Sequence, residues 1–444
     1  MNTFLLLIIA IHLYFSVKKP LYGLCSLLAI KILIPDIART PFVPLSINSF
    51  CSIITFASYF LYLLAGKECV RYLKNPLVAF LLIYFLFSFV VFILTDYTPK
   101  STQINNLLQY WTLQLLPVLV AIGTIRTYND LKLVLYIFII CFSICSLYGI
   151  TCFIFRMPYP YNEWFGKFFS VARNADYERA VENVMGGIQG RIIGTSTSDS
   201  WSFGMVITSV FMITYFIHTY LKNKYSLICC ILCGIAVLFT VRRTPVLTFM
   251  AFFLFLSILY YRNIGKIAIY ATLGLLAGVV IIVVIPELSA FRHIVESSMF
   301  FWDDSVSASN GVSGSSVSLR IYQLNYTVSH IADSFLFGNG WGAMYVKYHP
   351  RMFGWESIVF TTLFQSGFLG LIMMVLLYYY FYRYSIVNME NKGIAKAFVL
   401  ASAIFAVFTD TIYPFYTYFG CVLLHKLNRM ANTKKQSYCA FKKG

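Results

Sequence analysis

The chain has 444 residues, of which 59% are hydrophobic and 11% are charged, and its mean hydropathy is +0.74. These values exclude a soluble protein of this size, which needs far more polar surface. The net charge of +17 does not indicate nucleic-acid binding, because lysines and arginines stand between apolar runs and form no basic domain. The runs are continuously apolar and do not alternate, which argues against a β-barrel.

Apolar runs of about 16 to 25 residues follow one another along the chain, a length that crosses a bilayer as a helix. The first run, 2–16, has no basic segment and no small-residue cleavage site, so we expect a retained helix and not a signal peptide. The last stretch, about 395 to 427, is too long for one straight crossing, and Asp410 and Pro414 within it allow two crossings with a turn between them. The other predicted helices are 20–35, 48–65, 77–95, 105–124, 131–154, 201–220, 225–241, 244–261, 266–285 and 356–382.

The predicted fold is therefore an all-α polytopic transmembrane helix bundle of about 12–13 crossings, with one integral membrane domain over 1–444. Alternate links between helices carry unequal positive charge, with 14 lysines and arginines on one side. The basic residues in the short links of the other side are Arg39, Lys100, Arg242 and Arg243. Because cytoplasmic loops carry the excess of positive charge, the two long loops, 155–200 and 286–355, are predicted to lie on the outer face.

The cysteines and the familiar catalytic motifs exclude several kinds of chemistry. Most of the 11 cysteines lie inside apolar runs and the two long loops contain none, so no disulfide framework is indicated. The single CxxC, Cys230 and Cys233, is interpreted as helix packing. No Walker, HExxH or GxSxG motif is present, so we expect no nucleotide, no metal and no other cofactor.

The two outer loops contain the polar residues that suggest a binding site. In the first loop, GGIQGRIIGTSTS surrounds Arg191 with small residues, which let a backbone approach a ligand closely, although an ordinary flexible loop has the same composition. In the second loop, SLRIYQLNYTVSHIADSF predicts an amphipathic helix at the membrane surface. Its apolar positions at helical spacing are Leu319, Leu324, Val328 and Ile331.

Each charged candidate near these loops has a structural alternative. Glu356 opens a long apolar helix, where a carboxylate also suits the helix dipole. His349 stands in a loop, where a histidine is more often incidental than catalytic, and Lys347 precedes it in the same loop. Asp410 is an acid within an apolar run, where such residues face a cavity or a partner, and it is also a good turn residue. Arg242 is equally suited to snorkelling towards lipid headgroups.

Arginines on the outer side suggest an anionic substrate, because arginine binds phosphate with two parallel hydrogen bonds and stays charged in a poor dielectric. We therefore expect a lipid-linked phosphate at the membrane–water boundary, where the activated lipid phosphate itself serves as the leaving group. The membrane lipids are the other expected partner, and nucleic acid is not one.

Four stretches resemble the bacterial O-antigen polymerase and O-antigen ligase superfamily. They are GRIIGTSTSDSWSFG, TVRRTPVLTF, SLRIYQLNYTVSHIADSFLFGNGWG and WESIVFTTLFQSGFLGLI, which together cover roughly 185–375. The resemblance implies a metal-independent glycosyltransferase whose donor is a glycan on undecaprenyl pyrophosphate. It places the protein in the bacterial inner membrane, with the long loops and the active site facing the periplasm. A chain-length regulator protein is left open as a further partner.

The resemblance also implies roles for individual residues. Arg191, Arg243 and Arg320 match the family's arginines by position, and cations there stabilise the charge that develops on the leaving pyrophosphate. Ligases have a histidine eleven residues before the first glycine of a final Gly-x-x-Gly, whereas Glu356 stands in that place here, eleven before Gly367. The predicted catalytic residues are Glu356, Arg320 and His349, and the predicted substrate-binding residues are Arg191, Arg243, Arg242, Lys347 and Asp410.

The substitution of Glu356 for histidine favours a polymerase, which joins lipid-linked repeat units, over a ligase, which transfers glycan to lipid A–core. A third hypothesis is a flippase or another transporter of lipid-linked oligosaccharide. Such proteins commonly have repeated halves and charges in the middle of helices, whereas no repeat is visible here and the charges cluster on the outer side.

Overall fold

The computed structural model describes residues 2–35, 38, 40, 45–66, 72–155, 157, 159–169, 192–196, 200–240, 243–261, 316–331, 334–346, 357–387, 392–408 and 414–441. These residues form helices and no strand, which confirms the predicted all-α class. They include seven helices that are long and apolar enough to cross a membrane, and four shorter apolar helices.

The helices are numbered in chain order. They are α1 (Asn2–Lys18), α2 (Pro20–Leu33), α3 (Ile47–Ala65), α4 (Pro76–Leu94), α5 (Lys100–Tyr110), α6 (Leu116–Thr124), α7 (Tyr128–Ile154), α8 (Pro160–Phe169), α9 (Ser200–Leu221), α10 (Lys224–Phe239), α11 (Arg243–Leu256), α12 (Ser316–His330), α13 (Ala343–Val346), α14 (Ile358–Ser385), α15 (Gly393–Phe408) and α16 (Phe415–Phe441). Wider π-helical turns join α5 to α6 (Trp111–Leu115) and extend α11 (Ser257–Tyr261).

The outer surface of the bundle is apolar along whole helices. On α4, Ile83, Leu86 and Ile93 are 56%, 63% and 56% exposed. Continuous apolar surface of this extent is unfavourable in water and is what a helix presents to lipid. The chain is therefore a membrane protein, as the composition predicted.

Aromatic side chains fill the interior where the helices meet. Phe138 and Phe142 of α7, Phe216 of α9 and Phe398 of α15 are completely buried. The Phe216 and Phe398 rings meet edge to face with centroids 5.6 Å apart, and Phe138 lies 5.9 Å from the Phe419 ring of α16. These contacts join helices that are far apart in sequence into one packed core.

Most predicted helices agree with the structure to within a few residues, and the last apolar stretch contains two helices, α15 and α16. The start of α7 is three residues earlier than predicted, at Tyr128. Thr127 caps it, since its side chain accepts from the Asp130 N–H while the Asp130 carboxylate accepts from the Thr127 N–H. Lys19 adds an ion pair to Asp130 at 3.3 Å. The predicted helix 266–285 lies outside the described residues.

Candidate functional site

The segment 192–196, directly after Arg191, is a buried non-helical peptide that lies across three helices. The Ile192 N–H donates to the Phe239 carbonyl at the end of α10, at 3.3 Å. Gly149 of α7 makes room for the segment, because a Cβ there would lie 2.6 Å from the Ile193 carbonyl oxygen. The residues that follow Arg191 therefore lie against the residues that precede the Arg242–Arg243 link.

Side chains of α8 and its approach bind the polar backbone of this segment. The Tyr159 hydroxyl accepts from the Ile193 N–H at 3.1 Å, and the Asn162 amide donates to the Gly194 carbonyl at 3.0 Å. The Thr195 hydroxyl donates to the Ile32 carbonyl at 2.7 Å, in the last turn of α2. A buried non-helical peptide has no helical partners of its own, so these bonds replace them.

Tyr161 makes a parallel contact from the same short helix. Its hydroxyl donates to the Leu33 carbonyl at 2.7 Å, at the end of α2. Burial raises the pKa of Tyr161 to about 12, and burial also raises the pKa of Tyr159. Both hydroxyls stay protonated at neutral pH, and the hydrogen bond that Tyr161 donates requires its proton.

The start of α11 packs closely against α9. Arg243 is the first residue of α11, and of this arginine the structure describes the backbone. Gly204 of α9 lies beside Pro245, where a Cβ on residue 204 would be 2.7 Å from the proline Cγ. The stretches around Arg191 and Arg243 are thus in contact through the described residues that flank them.

The second long loop contains α12, whose polar face points into the protein. Gln323 and Thr327 are completely buried, whereas Ile321, Leu324 and Val328 are 55%, 40% and 56% exposed. This pattern suits a helix at a lipid surface, as predicted. The predicted apolar stripe is wrong in one member: Ile331 is buried at 4% in a small cluster with Phe364, because the chain turns into the bundle at the end of α12.

Arg320 lies on the inward-facing side of α12 and contacts the end of α15. Its Nη2 donates to the Phe408 carbonyl at 3.2 Å, and its guanidinium lies 5.5 Å from the centre of the Phe408 ring. Phe408 comes two residues before Asp410. A cation beside the last carbonyls of a helix is favoured by the helix dipole.

Helices α15 and α11 run antiparallel, which relates Arg320 to Arg243. The start of α15 at Gly393 lies against the Leu259 carbonyl, near the end of the turn that extends α11. The two helices have similar lengths, so the end of α15 at Phe408 reaches the level of the start of α11. Arg320 and Arg243 are therefore at the same end of the bundle.

A glycine turn, 338–342, docks into a break in α14. Gly367 has φ 66° and ψ −164°, which interrupts the helical hydrogen bonds. The N–H groups of Asn339 and Gly340 donate to the Phe364 and Gln365 carbonyls, both at 2.9 Å. The Phe368 and Leu369 N–H groups donate to the Phe335 and Leu336 carbonyls, at 2.9 and 3.2 Å. The broken helix therefore exchanges its own bonds for bonds to the loop.

The same turn is held on its other side by α4 and α5. The Thr98 hydroxyl donates to the Asn339 carbonyl at 2.7 Å, and the Trp341 indole donates to the Ser88 carbonyl at 3.1 Å. Gly340 has φ 94°, and a Cβ on it would lie 2.7 Å from both Thr95 and Gln103. Glycine is required here by conformation and by space.

Most predicted site residues lie outside the described residues, and their roles stay predictions. The structure does bear on one alternative for Glu356. Ser357 is the N-cap of α14, because its side chain accepts from the Val359 N–H, so the capping position belongs to the next residue.

In the part of the chain that the structure describes, no three metal-ligating side chains lie together. The predicted residues outside the described part are Arg191, Arg242, Lys347, His349, Glu356 and Asp410.

Sequence reasoning missed two features of the candidate site. Tyr159, Tyr161 and Asn162, in the sequence YPYNEW, support the first long loop, and the Pro-flanked aromatic pair after α7 was the available signal. Gly367 was noted as part of a Gly-x-x-Gly pattern, but a break in the helix was not predicted. The available signal was the glycine-rich sequence GNGWG, whose glycines Gly338, Gly340 and Gly342 all have positive φ in the structure.

Comparison with known proteins gives one positive finding. Residues 228–375 match the family model described as O-antigen ligase, a range that includes α10, α11, α12 and the break in α14. No curated protein matches the chain. The match supports O-antigen polymerase or ligase activity in general, and with it a glycosyltransferase-like enzyme of lipopolysaccharide biosynthesis. The chain is thus a membrane protein in which residues 228–375, about a third of its length, are similar to the O-antigen ligase family model.

Proposed function

We propose that this protein is a polymerase of a surface polysaccharide. It joins oligosaccharide repeat units that are linked to undecaprenyl pyrophosphate, at the periplasmic face of the bacterial inner membrane. A hydroxyl of the acceptor repeat unit attacks the anomeric carbon of the donor glycan. The bond from that carbon to the pyrophosphate oxygen breaks, and undecaprenyl pyrophosphate leaves with the electron pair.

The location of the described residues around the four stretches supports this proposal. Segment 192–196 meets the end of α10, Arg320 meets the end of α15 beside the start of α11, and the glycine turn meets α14. The described residues of the first three stretches therefore reach one end of the bundle, and those of the third and fourth stretches contact each other at the break in α14. Arg191, Arg243 and Arg320 then supply positive charge where the pyrophosphate becomes more negative, with Arg242 and Lys347 nearby in the sequence.

The general base that we propose is Glu356, which takes the proton of the attacking hydroxyl. It directly precedes Ser357, the cap of α14, and stands eleven residues before the helix break at Gly367. This carboxylate in place of the ligase histidine is the observation that carries the choice of a polymerase. The second candidate is a ligase, because the matching family model is described as O-antigen ligase.

The site is tested with Arg243→Ala and Glu356→Gln. Each is expected to reduce polymer by about 100-fold or more at a normal protein level, as loss of a charge-stabilising group or a base does. Arg243→Lys is also expected to be poor, because the two-bonded phosphate contact is lost. Arg383→Ala, near the far end of α14, is the matched control and retains polymer. Near-normal glycan in either of the first two variants removes that residue from the site.

Gene deletion separates a polymerase from a ligase. Loss of a polymerase leaves single repeat units on the lipid A–core, whereas loss of a ligase removes all capped core, single repeats included. Purified protein that elongates lipid-linked oligosaccharide in detergent excludes pure transport. Retained long-chain polymer after deletion contradicts the proposal.

A further inference from the structure

Lys31 is a half-buried lysine of α2 that the proposed reaction does not use. It lies two residues before the end of α2, between the buried residues Ile30 and Ile32. Its Nζ donates to the Leu113 carbonyl at 2.9 Å and lies 4.7 Å from the centre of the Phe415 ring. The ammonium group has three donors, and one of them is used by the Leu113 carbonyl.

The Leu113 carbonyl lacks its α-helical donor, because the residue four positions later is Pro117. In an α-helix this carbonyl accepts from the N–H four residues later, and proline has none. The chain widens here into the π-helical turn Trp111–Leu115, a feature that is frequent at functional sites. A neutral donor would satisfy one carbonyl, so the carbonyl alone does not explain a positive charge at position 31.

No carboxylate among the described residues neutralises Lys31. The acids in that part of the chain are Asp96, Asp130 and Glu163, and the first two pair with Lys100 and Lys19. A cation within an apolar bundle is costly unless an anion or a helix end compensates it. The structure does contain such a compensated lysine.

Lys426, at the opposite end of the bundle, is that lysine. It is 6% exposed and donates to the Ile122 carbonyl at 2.8 Å. Ile122 is in the last turn of α6, which ends at Thr124, so Lys426 is stabilised by the negative end of a helix dipole. Leu113 is in the middle of a longer helical run and offers Lys31 no such end.

Lys31 lies next to the candidate site. The carbonyl of the following residue, Ile32, accepts from Thr195, in the segment that follows Arg191. On its other side Phe415 is the first residue of α16, and its N–H donates to the Gln114 side chain at 2.8 Å. The ammonium group is thus between the first long loop and the start of α16.

We propose that Lys31 is an anion-binding residue of the donor site, which contacts an oxyanion of the lipid-linked substrate. The oxyanion is a phosphate oxygen of the lipid pyrophosphate or a carboxylate of an acidic sugar in the repeat unit. This inference rests on the proposed function. It adds a cation from α2, outside the matched range, to the arginines within and before that range.

The test measures binding of undecaprenyl pyrophosphate, without sugar, to the purified full chain in detergent, with undecaprenol as the uncharged comparison. Lys31→Gln keeps a donor for the Leu113 carbonyl and removes the charge. We expect it to bind undecaprenyl pyrophosphate about 10-fold or more weakly, with undecaprenol binding unchanged. Lys426→Gln is the matched control and binds like the wild type.

A second pair of variants guards against a folding effect. Pro117→Ala supplies an N–H at position 117 for the Leu113 carbonyl, so Lys31 is no longer needed to satisfy it. We expect Pro117→Ala alone to bind normally and Lys31→Met with Pro117→Ala to lose binding by the same factor as Lys31→Gln. Wild-type binding by this double variant, with normal elongation of the lipid-linked substrate, overturns the proposal.

The remaining outcomes also decide the question. Normal binding of undecaprenyl pyrophosphate with impaired elongation of an acidic repeat unit supports Lys31 and assigns its anion to the sugar. Unchanged binding and elongation, with equal destabilisation by Lys31→Gln and by Asp36→Asn or Asp410→Asn, assigns Lys31 to an internal ion pair and overturns it. If the wild type neither binds undecaprenyl pyrophosphate nor elongates any substrate, it is the proposed function that fails.

Discussion

Two non-helical peptides lie buried in the bundle, and they are held in different ways. Segment 192–196 is bound mainly by side chains: the Tyr159 hydroxyl, the Asn162 amide and its own Thr195 hydroxyl. The glycine turn 338–342 is bound mainly by backbone, through the exchange of hydrogen bonds with the broken helix around Gly367. Both satisfy buried N–H and carbonyl groups in a bundle where water is scarce.

The difference predicts how each region responds to substitution. Side-chain contacts can be removed one at a time, and each removal exposes one backbone group. The backbone exchange depends on positive φ at Gly338, Gly340 and Gly367, so a single methyl group disturbs the whole ladder. We therefore expect single substitutions to weaken the binding of segment 192–196 in steps. A substitution that disturbs the glycine turn 338–342 is expected to release the whole turn from α14.

The largest effect is expected for Gly367→Ala. Its backbone has φ 66°, and the new Cβ would lie 2.5 Å from the Leu336 carbonyl carbon and oxygen, which cannot move without loss of the ladder. We expect a loss of at least about 3 kcal/mol in the free energy of unfolding, measured by denaturation in detergent, and loss of polymer. Gly234→Ala is the control, since its nearest contact is the Phe211 ring at 3.3 Å and its helical backbone suits alanine. Equal stability of the two variants contradicts the backbone explanation.

A smaller effect is expected for Asn162→Leu, which keeps the approximate volume and removes the donor to the Gly194 carbonyl. The unsatisfied buried carbonyl costs about 1–3 kcal/mol in the free energy of unfolding. Asn105→Leu, on the exposed side of α5, controls for the residue change itself. If Asn162→Leu loses as much free energy of unfolding as Gly367→Ala, the two peptides respond alike to substitution. That result contradicts the distinction drawn between them.

The smallest effects are expected for Thr195→Val and Tyr161→Phe. Each removes one hydroxyl that donates to a carbonyl at the end of α2, and each costs about 1 kcal/mol. Additive losses in the double variant indicate independent contacts. A loss in the double variant that exceeds the sum by more than about 0.5 kcal/mol places both hydroxyls in one cooperative unit.

Tyr161 also predicts a pH dependence. Burial raises the pKa of its hydroxyl from about 10 in the unfolded chain to about 12 in the folded one. The stabilisation that depends on its proton is fully present below pH 10 and is lost as the pH rises towards 12. Tyr161→Phe is therefore expected to lose less stability than the wild type between these values. If the wild type and Tyr161→Phe lose the same free energy of unfolding over this pH range, the loss comes from other titrating groups.

The helices themselves were largely predictable. The helix predicted at 77–95 is observed as Pro76–Leu94, and Asp410 with Pro414 correctly indicated two helices in the last apolar stretch. Long apolar runs and their polar interruptions are local properties, so the sequence contains them directly. Three of the four stretches that resemble a known superfamily lie within 228–375, the range that matches the family model, and the stretch around Arg191 lies before it.

Contacts within the candidate site were not predictable in the same way. Spacing indicated that α12 is amphipathic, but it did not indicate that Gln323 and Thr327 face the protein while Leu324 and Val328 face outward. In a membrane the apolar face of a helix turns towards lipid, which reverses the rule for soluble proteins. Ile331 was misplaced for a related reason, because the chain leaves the helix axis there and enters the bundle.

The sequence by itself determined the number and place of most helices, the membrane environment and the set of charged residues available for chemistry. The tertiary structure decided that α14 breaks at Gly367 to receive the glycine turn, that Arg320 meets the end of α15, and that Lys31 donates to the Leu113 carbonyl. Helix formation follows from local apolar periodicity, whereas these contacts join residues up to 88 positions apart. They arise because every polar backbone group inside the bundle must find a partner, wherever in the chain that partner is.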